Sequence, residues 1–360
     1  MVKRYAAVIC LAVVLAGSAL VAAAGESRSE NEGVNAENSA PIDVWYVTLR
    51  NKGDRNTAGA VYGGARGELR TGICALDFIP IPGLKGIVDS APFYIPEERT
   101  KIKDVSEWTE DRFWKEIEAF AKNNLGNIVF YIHGYNVGFE KSCRRAALFQ
   151  RALHPRHRLV LFSWPADGNV LKYTWDEADL VWSVPRIAQT LQKLVLHVGS
   201  DRVDVVAHSL GTRGVVMALS MIACKQQTEP LVNELVLVAP DIDTDNFRDA
   251  WPDVRHLARR TTLYVSENDK ALRASREAHG YPRLGEAGEH LTVLAGIETI
   301  DISPAGTRRF SGHIYHLYHS EVAADLQALL GTGRPAAQRP NLQRTELGGL
   351  SYWRLVPQNP

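Results

Sequence analysis

Residues 203–211 read Val-Asp-Val-Val-Ala-His-Ser-Leu-Gly: a mostly apolar run ends on a serine with Ala207 two positions before it and Gly211 two positions after. A hydroxyl becomes a useful nucleophile only when it is exposed at a turn and a base takes its proton. The run has the form of a nucleophile elbow, with alanine in place of the first glycine of G-x-S-x-G, because only small residues fit beside so sharp a turn. Ser209 is therefore the candidate nucleophile, and His208 and Gly211 support its turn. The competing role is a serine that merely caps the helix after it. A second apolar run, 128–132, leads into His133-Gly134-Tyr135-Asn136. Glycine at such a place lets the backbone come close to a substrate, and amides aimed there stabilise a developing oxyanion. The Tyr135 and Leu210 N–H groups are the expected donors, the second being the amide directly after the serine. Gly134 and His133 support that loop, the histidine as a structural ring rather than a proton carrier.

A serine needs a base, and the base needs an orienting group. In chains with such an elbow the order is serine, acid, histidine. Asp269 follows the β-rich run 262–265, and His313 follows 297–302. The chemistry expected of Ser209, His313 and Asp269 is acyl transfer to water. Each residue also has a plain structural role, Asp269 as a turn or helix cap and His313 as a surface side chain. Asp241 and Asp243 are rivals for the acid. His316 and His319 are rivals for the base, although both read as part of a helix leading into 321–330. The 11 histidines fall into no H-E-x-x-H and the cysteines into no C-x-x-C, so no metal and no other cofactor is expected.

These residues lie at the ends of a regular series. Runs 128–132, 159–162, 203–207, 234–239, 262–265 and 297–302 are short and β-rich, and helical patterns fill 139–153, 178–196, 212–224 and 247–259. Near-continuous apolar strands alternating with helices specify an α/β domain with a mostly parallel central sheet, helices on both faces. Before this series, 43–50 is a strand pattern, 53–96 is rich in Gly and Pro and reads as loop with a short strand or two, and 107–123 has helical periodicity. Segment 164–182 is dense in aromatics and has two readings, the lining of an acyl or aryl pocket or the packing of a helix on the sheet. The domain is expected over 41–330, with 331–360 a mobile extension.

Of 360 residues, 45% are hydrophobic and 23% charged, and formal net charge is zero. No basic field exists to attract nucleic acid, and no such partner is expected. Lys3 and Arg4 precede an apolar stretch ending in Ala22-Ala23-Ala24. Residues 1–24 thus read as a secretory signal, or as a membrane anchor if retained, followed by a polar linker over 25–40. The expected location is the periplasm or the exterior, with membrane attachment only through an uncleaved N-terminus. Beyond Cys10 in that stretch, Cys74, Cys143 and Cys224 allow one disulfide at most and read as small buried hydrophobes.

The chain resembles a group of bacterial α/β-hydrolases of the esterase/lipase superfamily, long catalogued as a domain of unknown function. The resemblance rests on VFYIHGYNVGFE at 129–140, LFSWPADG at 161–168, VVAHSLGTR at 205–213, LVAPDID at 237–243, LYVSENDKALRAS at 263–275, RLG at 283–285 and Gly312-His313 with Tyr315. It implies the α/β-hydrolase fold, serine-dependent hydrolysis and Ser209, Asp269 and His313 as the triad. It names no substrate and leaves Cys74 and the tail uninterpreted. The expectation is a carboxylic-ester hydrolase acting on a small-molecule ester or lipid-like substrate. A thioesterase, lipase or amidase would use the same residues. The contrasting alternative is a binding or scaffold protein of the cell envelope on the same fold.

Overall fold

The structure, a computed structural model, describes residues 42–53, 61–78, 100–168, 172–225, 227, 229–306 and 312–357. The expected signal segment and linker, 1–40, lie outside the described residues. The strands are β1 (Ile42–Lys52), β2 (Tyr62–Phe78), β3 (Thr100–Trp108), β4 (Ile128–Ile132), β5 (Arg158–Ser163), β6 (Val203–His208), β7 (Val232–Val238), β8 (Ala258–Val265), β9 (Glu298–Asp301), β10 (Leu342–Leu347) and β11 (Leu350–Leu355). The helices are α1 (Glu110–Asn123), α2 (Phe139–Ala152), α3 (Tyr173–Val198), α4 (Leu210–Ala223), α5 (Thr244–Val254), α6 (Lys270–His279), α7 (Tyr315–Tyr318) and α8 (Ser320–Thr332).

All the strands form one sheet in the order β10-β11-β9-β8-β7-β6-β4-β5-β1-β2-β3. From β11 across to β1 every neighbouring pair is parallel, while β2, β3 and β10 are antiparallel to their neighbours. After β4 the chain moves to β5 on one side, then crosses back to place β6 on the other. The sheet therefore has a topological switch point between the carboxyl ends of β4 and β6, the crevice where open α/β sheets bind ligands. The His133 loop and Ser209 leave the sheet at that point.

Side chains along a strand alternate between faces, and the core divides accordingly. Phe130, Val205, Leu237 and Leu263 pack on one face beneath Ile117 of α1, Ile187 of α3, Leu219 of α4 and Phe247 of α5. Tyr131, Val206, Val236 and Tyr264 pack on the other beneath Ala146 of α2 and Leu326 of α8. Burial on both faces is why these strands carry no polar alternation. Local signals close the helices: Thr109 accepts from the Arg112 amide at 3.3 Å, with Glu110 and Asp111 in the first turn of α1.

Three regions differ from the sequence expectation. Part of the stretch expected as loop forms β2, 17 residues long, because β1 on one side and β3 on the other supply its ladder despite its glycines. The helical pattern over 247–259 stops at Val254, and β8 begins at Ala258 to pair with β7. The C-terminal residues, expected as a mobile extension, form a β10–β11 hairpin whose Trp353 and Arg354 pair with Ile300 and Asp301 of β9. The anchor is Arg339. Its guanidinium is buried and donates to Asp325 at 2.7 Å, to the Tyr264 hydroxyl at 3.0 Å and to Glu298 at 3.2 Å. Composition marks such a segment as loose, and one charge matched by distant partners reverses that. Cys74 and Cys143 are buried and Cys224 exposed, all three as free thiols.

Candidate active site

Only Ser209 separates the last residue of β6 from the first of α4. Its backbone takes φ 54° and ψ −128°, a left-handed conformation that costs a side-chain-bearing residue on the order of 1–3 kcal/mol. The surroundings impose it. The Ser209 N–H donates to the Val238 carbonyl at 2.9 Å, and the Ser209 carbonyl accepts from the amides of Thr212 at 3.0 Å and Asp241 at 3.3 Å. The hydroxyl caps nothing: the helix receives no side-chain hydrogen bond from its N-cap residue. The plain capping role is therefore not what this serine performs. Leu210 N–H lies in the first turn of α4, where amides have no partner within the helix.

Glycines allow the elbow and the β4 loop to touch. A Cβ on Gly134 would lie 2.7 Å from the Ser209 Cβ and 3.0 Å from the His208 Nδ1. A Cβ on Gly211 would run into the His133 carbonyl. The backbone around Gly134 thus rests directly on Ser209, and Tyr135 next to it packs edge-on against Tyr173 at 4.9 Å.

Asp269 and His313 come from separate loops and meet at 2.7 Å, Nδ1 to Oδ2. Asp269 is also the N-cap of α6, its Oδ1 accepting from the Ala271 and Leu272 amides at 3.0 Å each. The helix cap and the histidine contact coexist, one on each carboxylate oxygen. With its Nδ1–H on a carboxylate, His313 presents Nε2 as the acceptor, the tautomer a base requires. Burial by itself would lower the pKa of this ring. The charge and hydrogen bond of Asp269 outweigh burial and hold it above histidine's ordinary 6.5.

His208, beside the serine, places its ring 4.7 Å from that of His313 and donates from Nε2 to the His313 carbonyl at 3.0 Å. His316 packs behind His208 at 4.5 Å. Burial, then neighbouring positive charge (His316 and His313 for His208, Arg145 and His313 for His316), drives both pKa values well below 6.5, so these rings are neutral. The rivals are engaged elsewhere. Asp241 accepts from Arg283 at 2.8 Å, from Ser275 at 2.7 Å and from Tyr173 at 2.7 Å. Asp243 caps α5 through the amides of Asp245 and Asn246. His319 is buried, with Nε2 on the Ala305 carbonyl at 2.8 Å.

Two positioning residues escaped the sequence reading. Arg50, at the end of β1, is fully buried and donates to Ser163 Oγ at 2.9 Å and to the carbonyls of Ala166 at 2.8 Å, Val137 at 2.6 Å and Gly63 at 3.2 Å. Its Nη2 also reaches His133 Nε2 at 3.4 Å, which fixes that ring with its proton on Nδ1, donated to the Gly134 carbonyl at 2.8 Å. Trp164 stacks on the same ring at 5.1 Å and donates to the His133 carbonyl. Burial pushes the guanidinium down to about 10, so it stays charged at neutral pH. Asp176, in the first turn of α3, accepts from the amides of Asn136 at 3.1 Å and Asp167 at 3.0 Å. Together they clamp the Gly134 loop to the loop after β5. A polar tail on an apolar strand, Thr48 and Arg50 after Val47, was the one sequence signal available.

Removing that guanidinium should matter. Arg50→Met strands several buried acceptors at about 1–3 kcal/mol each, so the melting temperature should fall. Activity should fall with it, about tenfold or more in kcat, with KM changed less, and Arg50→Lys should recover only part. Steady-state kinetics with a thermal melt decide it, and a kcat equal to wild type in folded Arg50→Met would remove Arg50 from the clamp.

The aromatic segment after β5 does not form one pocket wall. Trp164 is in the core, whereas Trp175 is 61% exposed with Lys172 Nζ over its ring at 4.4 Å. Among the described residues, no three His, Cys, Asp or Glu side chains gather as metal ligands would.

A mostly parallel sheet covered on both faces, with a strained serine at its switch point, defines the class: an α/β hydrolase. Residues 109–332 match the profile of a family described as alpha/beta hydrolase of unknown function (DUF900), more than half of the 360 residues, and the chain belongs to that family. Among curated proteins, the uncharacterized protein alr1448 of Nostoc sp. (strain PCC 7120) is 22% identical over 232 residues. The match takes in 48% of this chain and spans 59% of that protein's length. Among solved structures, an esterase of Pyrobaculum calidifontis is 12% identical with a TM-score of 0.33, covering 70% of this chain and 98% of that one. A cold-adapted esterase from an Arctic intertidal metagenomic library is 10% identical with a TM-score of 0.38, covering 83% and 99%. The carboxylesterase EstE1 from a metagenomic library is 13% identical with a TM-score of 0.33, covering 82% and 88%.

Proposed function

We propose that this hydrolase cleaves carboxylic esters through an acyl-enzyme on Ser209. One observation carries the reading: a serine in a strained elbow directly follows His208, whose ring lies 4.7 Å from that of His313, an imidazole with its Nδ1 on a buried carboxylate. His313 Nε2 takes the Ser209 proton as the oxygen attacks the ester carbonyl, and Asp269 stabilises the imidazolium that forms. The Tyr135 and Leu210 amides receive the oxyanion, each donor worth about 2.7–4 kcal/mol. The protonated His313 then gives its proton to the departing alkoxide. In the second half His313 activates water, which attacks the acyl carbon and releases acid and free Ser209. Every step uses side chains, amides and water alone. Thioesters and lipids would enter by the same route. The basic and apolar pattern of residues 1–24 further supports action outside the cytoplasm.

A fluorophosphonate probe tests the assignment against a non-catalytic scaffold. Labelling should map by mass to the peptide containing Ser209 and should block hydrolysis of 4-nitrophenyl acetate in proportion. A folded chain that neither labels nor hydrolyses would favour the scaffold.

A further inference from the structure

Two of the cysteines are neighbours in space although they lie far apart in the chain. Cys74 stands on β2 opposite Val44 of β1, and Gly72 stands opposite Tyr46. Residues two apart share a face of a strand, so these two rungs both face the layer that holds α2. Phe139, in the first turn of α2, packs edge-on against Tyr46 at 5.1 Å. Cys143 is four residues on, on the same helix face and about 6 Å further along the axis. Two strand residues span about 6.7 Å, so with Phe139 over Tyr46 the next turn brings Cys143 over the rung of Val44 and Cys74. The direction agrees, because α2 joins the parallel strands β4 and β5 and must run back against them and against β1. The two thiols meet there within hydrogen-bonding reach of each other, and both side chains are wholly buried. A disulfide needs its two Cα atoms within about 7 Å. The small side chains of Ala146 and Ala147, one turn further along α2 in the same layer, let the helix lie close to the sheet.

We infer that Cys74 and Cys143 close into a disulfide when the chain folds in the presence of a disulfide donor, tying α2 to β2. The thiolate of one cysteine attacks a sulfur of the donor, forming a mixed disulfide and expelling one donor thiolate. The thiolate of the other then attacks the first cysteine's sulfur and expels the second donor thiolate. Two protein thiols and one donor disulfide thus become one protein disulfide and two donor thiols, which carry away the two electrons and the two protons. Closure belongs to folding rather than to a switch in the native protein. The thiolate is the reacting form, and burial, then the adjacent Cys143, pushes the Cys74 thiol well above its ordinary range. Once closed, the bridge is shielded from reductants by the same burial. Cys224, exposed at the C-cap of α4, stays the free thiol. Compartments outside the cytoplasm supply such donors, in keeping with the export pattern of residues 1–24.

The test refolds the full chain from urea in a mixture of reduced and oxidised glutathione, with a parallel sample refolded in dithiothreitol. Free thiols are capped with N-ethylmaleimide in urea before digestion with trypsin. The tryptic peptide 71–85, which holds Cys74, should appear joined to 142–144, which holds Cys143, and the peptide with Cys224 should carry the cap. The oxidised protein should melt about 5–10 °C above the one refolded in dithiothreitol, the scale expected when a long loop is closed. Cys224→Ser should keep the joined peptide and the difference in melting temperature, whereas Cys143→Ala should lose both. The peptide map of wild type stands by itself if Cys143→Ala does not fold. Capped Cys74 and Cys143 in the glutathione-refolded chain, or either of them joined to Cys224, would overturn the pairing. A joined pair that leaves the melting temperature where dithiothreitol puts it would overturn the tie between α2 and β2.

Discussion

Replacing Ser209 with alanine is expected to lower kcat for 4-nitrophenyl esters by about a million-fold, the scale seen when a triad nucleophile is removed. The melting temperature should barely move. The hydroxyl caps no helix amide, and alanine carries the same Cβ at φ 54°, so the strain of the elbow is unchanged. Ser209→Gly makes the contrast. Glycine occupies that backbone region without a Cβ penalty, so the protein should be equally inactive yet more stable by on the order of 1 kcal/mol. Stopped assays with a melt of each variant measure both. Turnover retained in Ser209→Ala would end the case for this nucleophile.

The second large effect belongs to Asp269, which holds α6 with one oxygen and His313 with the other. Asparagine keeps a cap acceptor but meets His313 with an amide, favouring the wrong tautomer. The expected loss in kcat is about 10⁴-fold, at little cost in stability. Alanine should lose similar activity and a further ~1 kcal/mol from the missing cap. The pH profile provides the discriminating sign. His313 must be neutral to accept a proton, so kcat/KM should fall as pH drops through its raised pKa, placing the acid limb above 6.5. In Asp269→Asn burial is opposed only by the weaker pull of Asp241, and the limb should move to lower pH. Stability runs the other way: the raised pKa contributes stability below histidine's unfolded pKa and loses it as pH rises through the folded one. An acid limb unmoved by Asp269→Asn would show that another group sets it.

Much of this protein is legible in the chain because the responsible signals are local. The strand Ile128–Ile132 appears with its ends as expected, since five apolar residues closed by His-Gly can only be a buried strand entering a turn. The elbow is legible for the same reason: small residues two positions from a serine are a steric requirement, met within a few residues. The order Ser209, Asp269, His313 likewise follows from which loops leave which strands. Residues 62–78 and 342–355, within segments expected as loop and as a mobile extension, misled because glycine and proline weaken local preference, and pairing with β1, β3 and β9 then decided their state.

What sequence alone determined was the alternation of elements and the short list of residues able to react. Tertiary structure decided which carboxylate His313 meets and that Arg50 and Asp176 clamp the Gly134 loop. The reason is physical. A turn or an amphipathic strand is specified by neighbours in the chain, whereas a buried charge or a cavity exists only through groups tens or hundreds of residues apart: Arg50 meets Ser163 and Ala166 more than a hundred positions away.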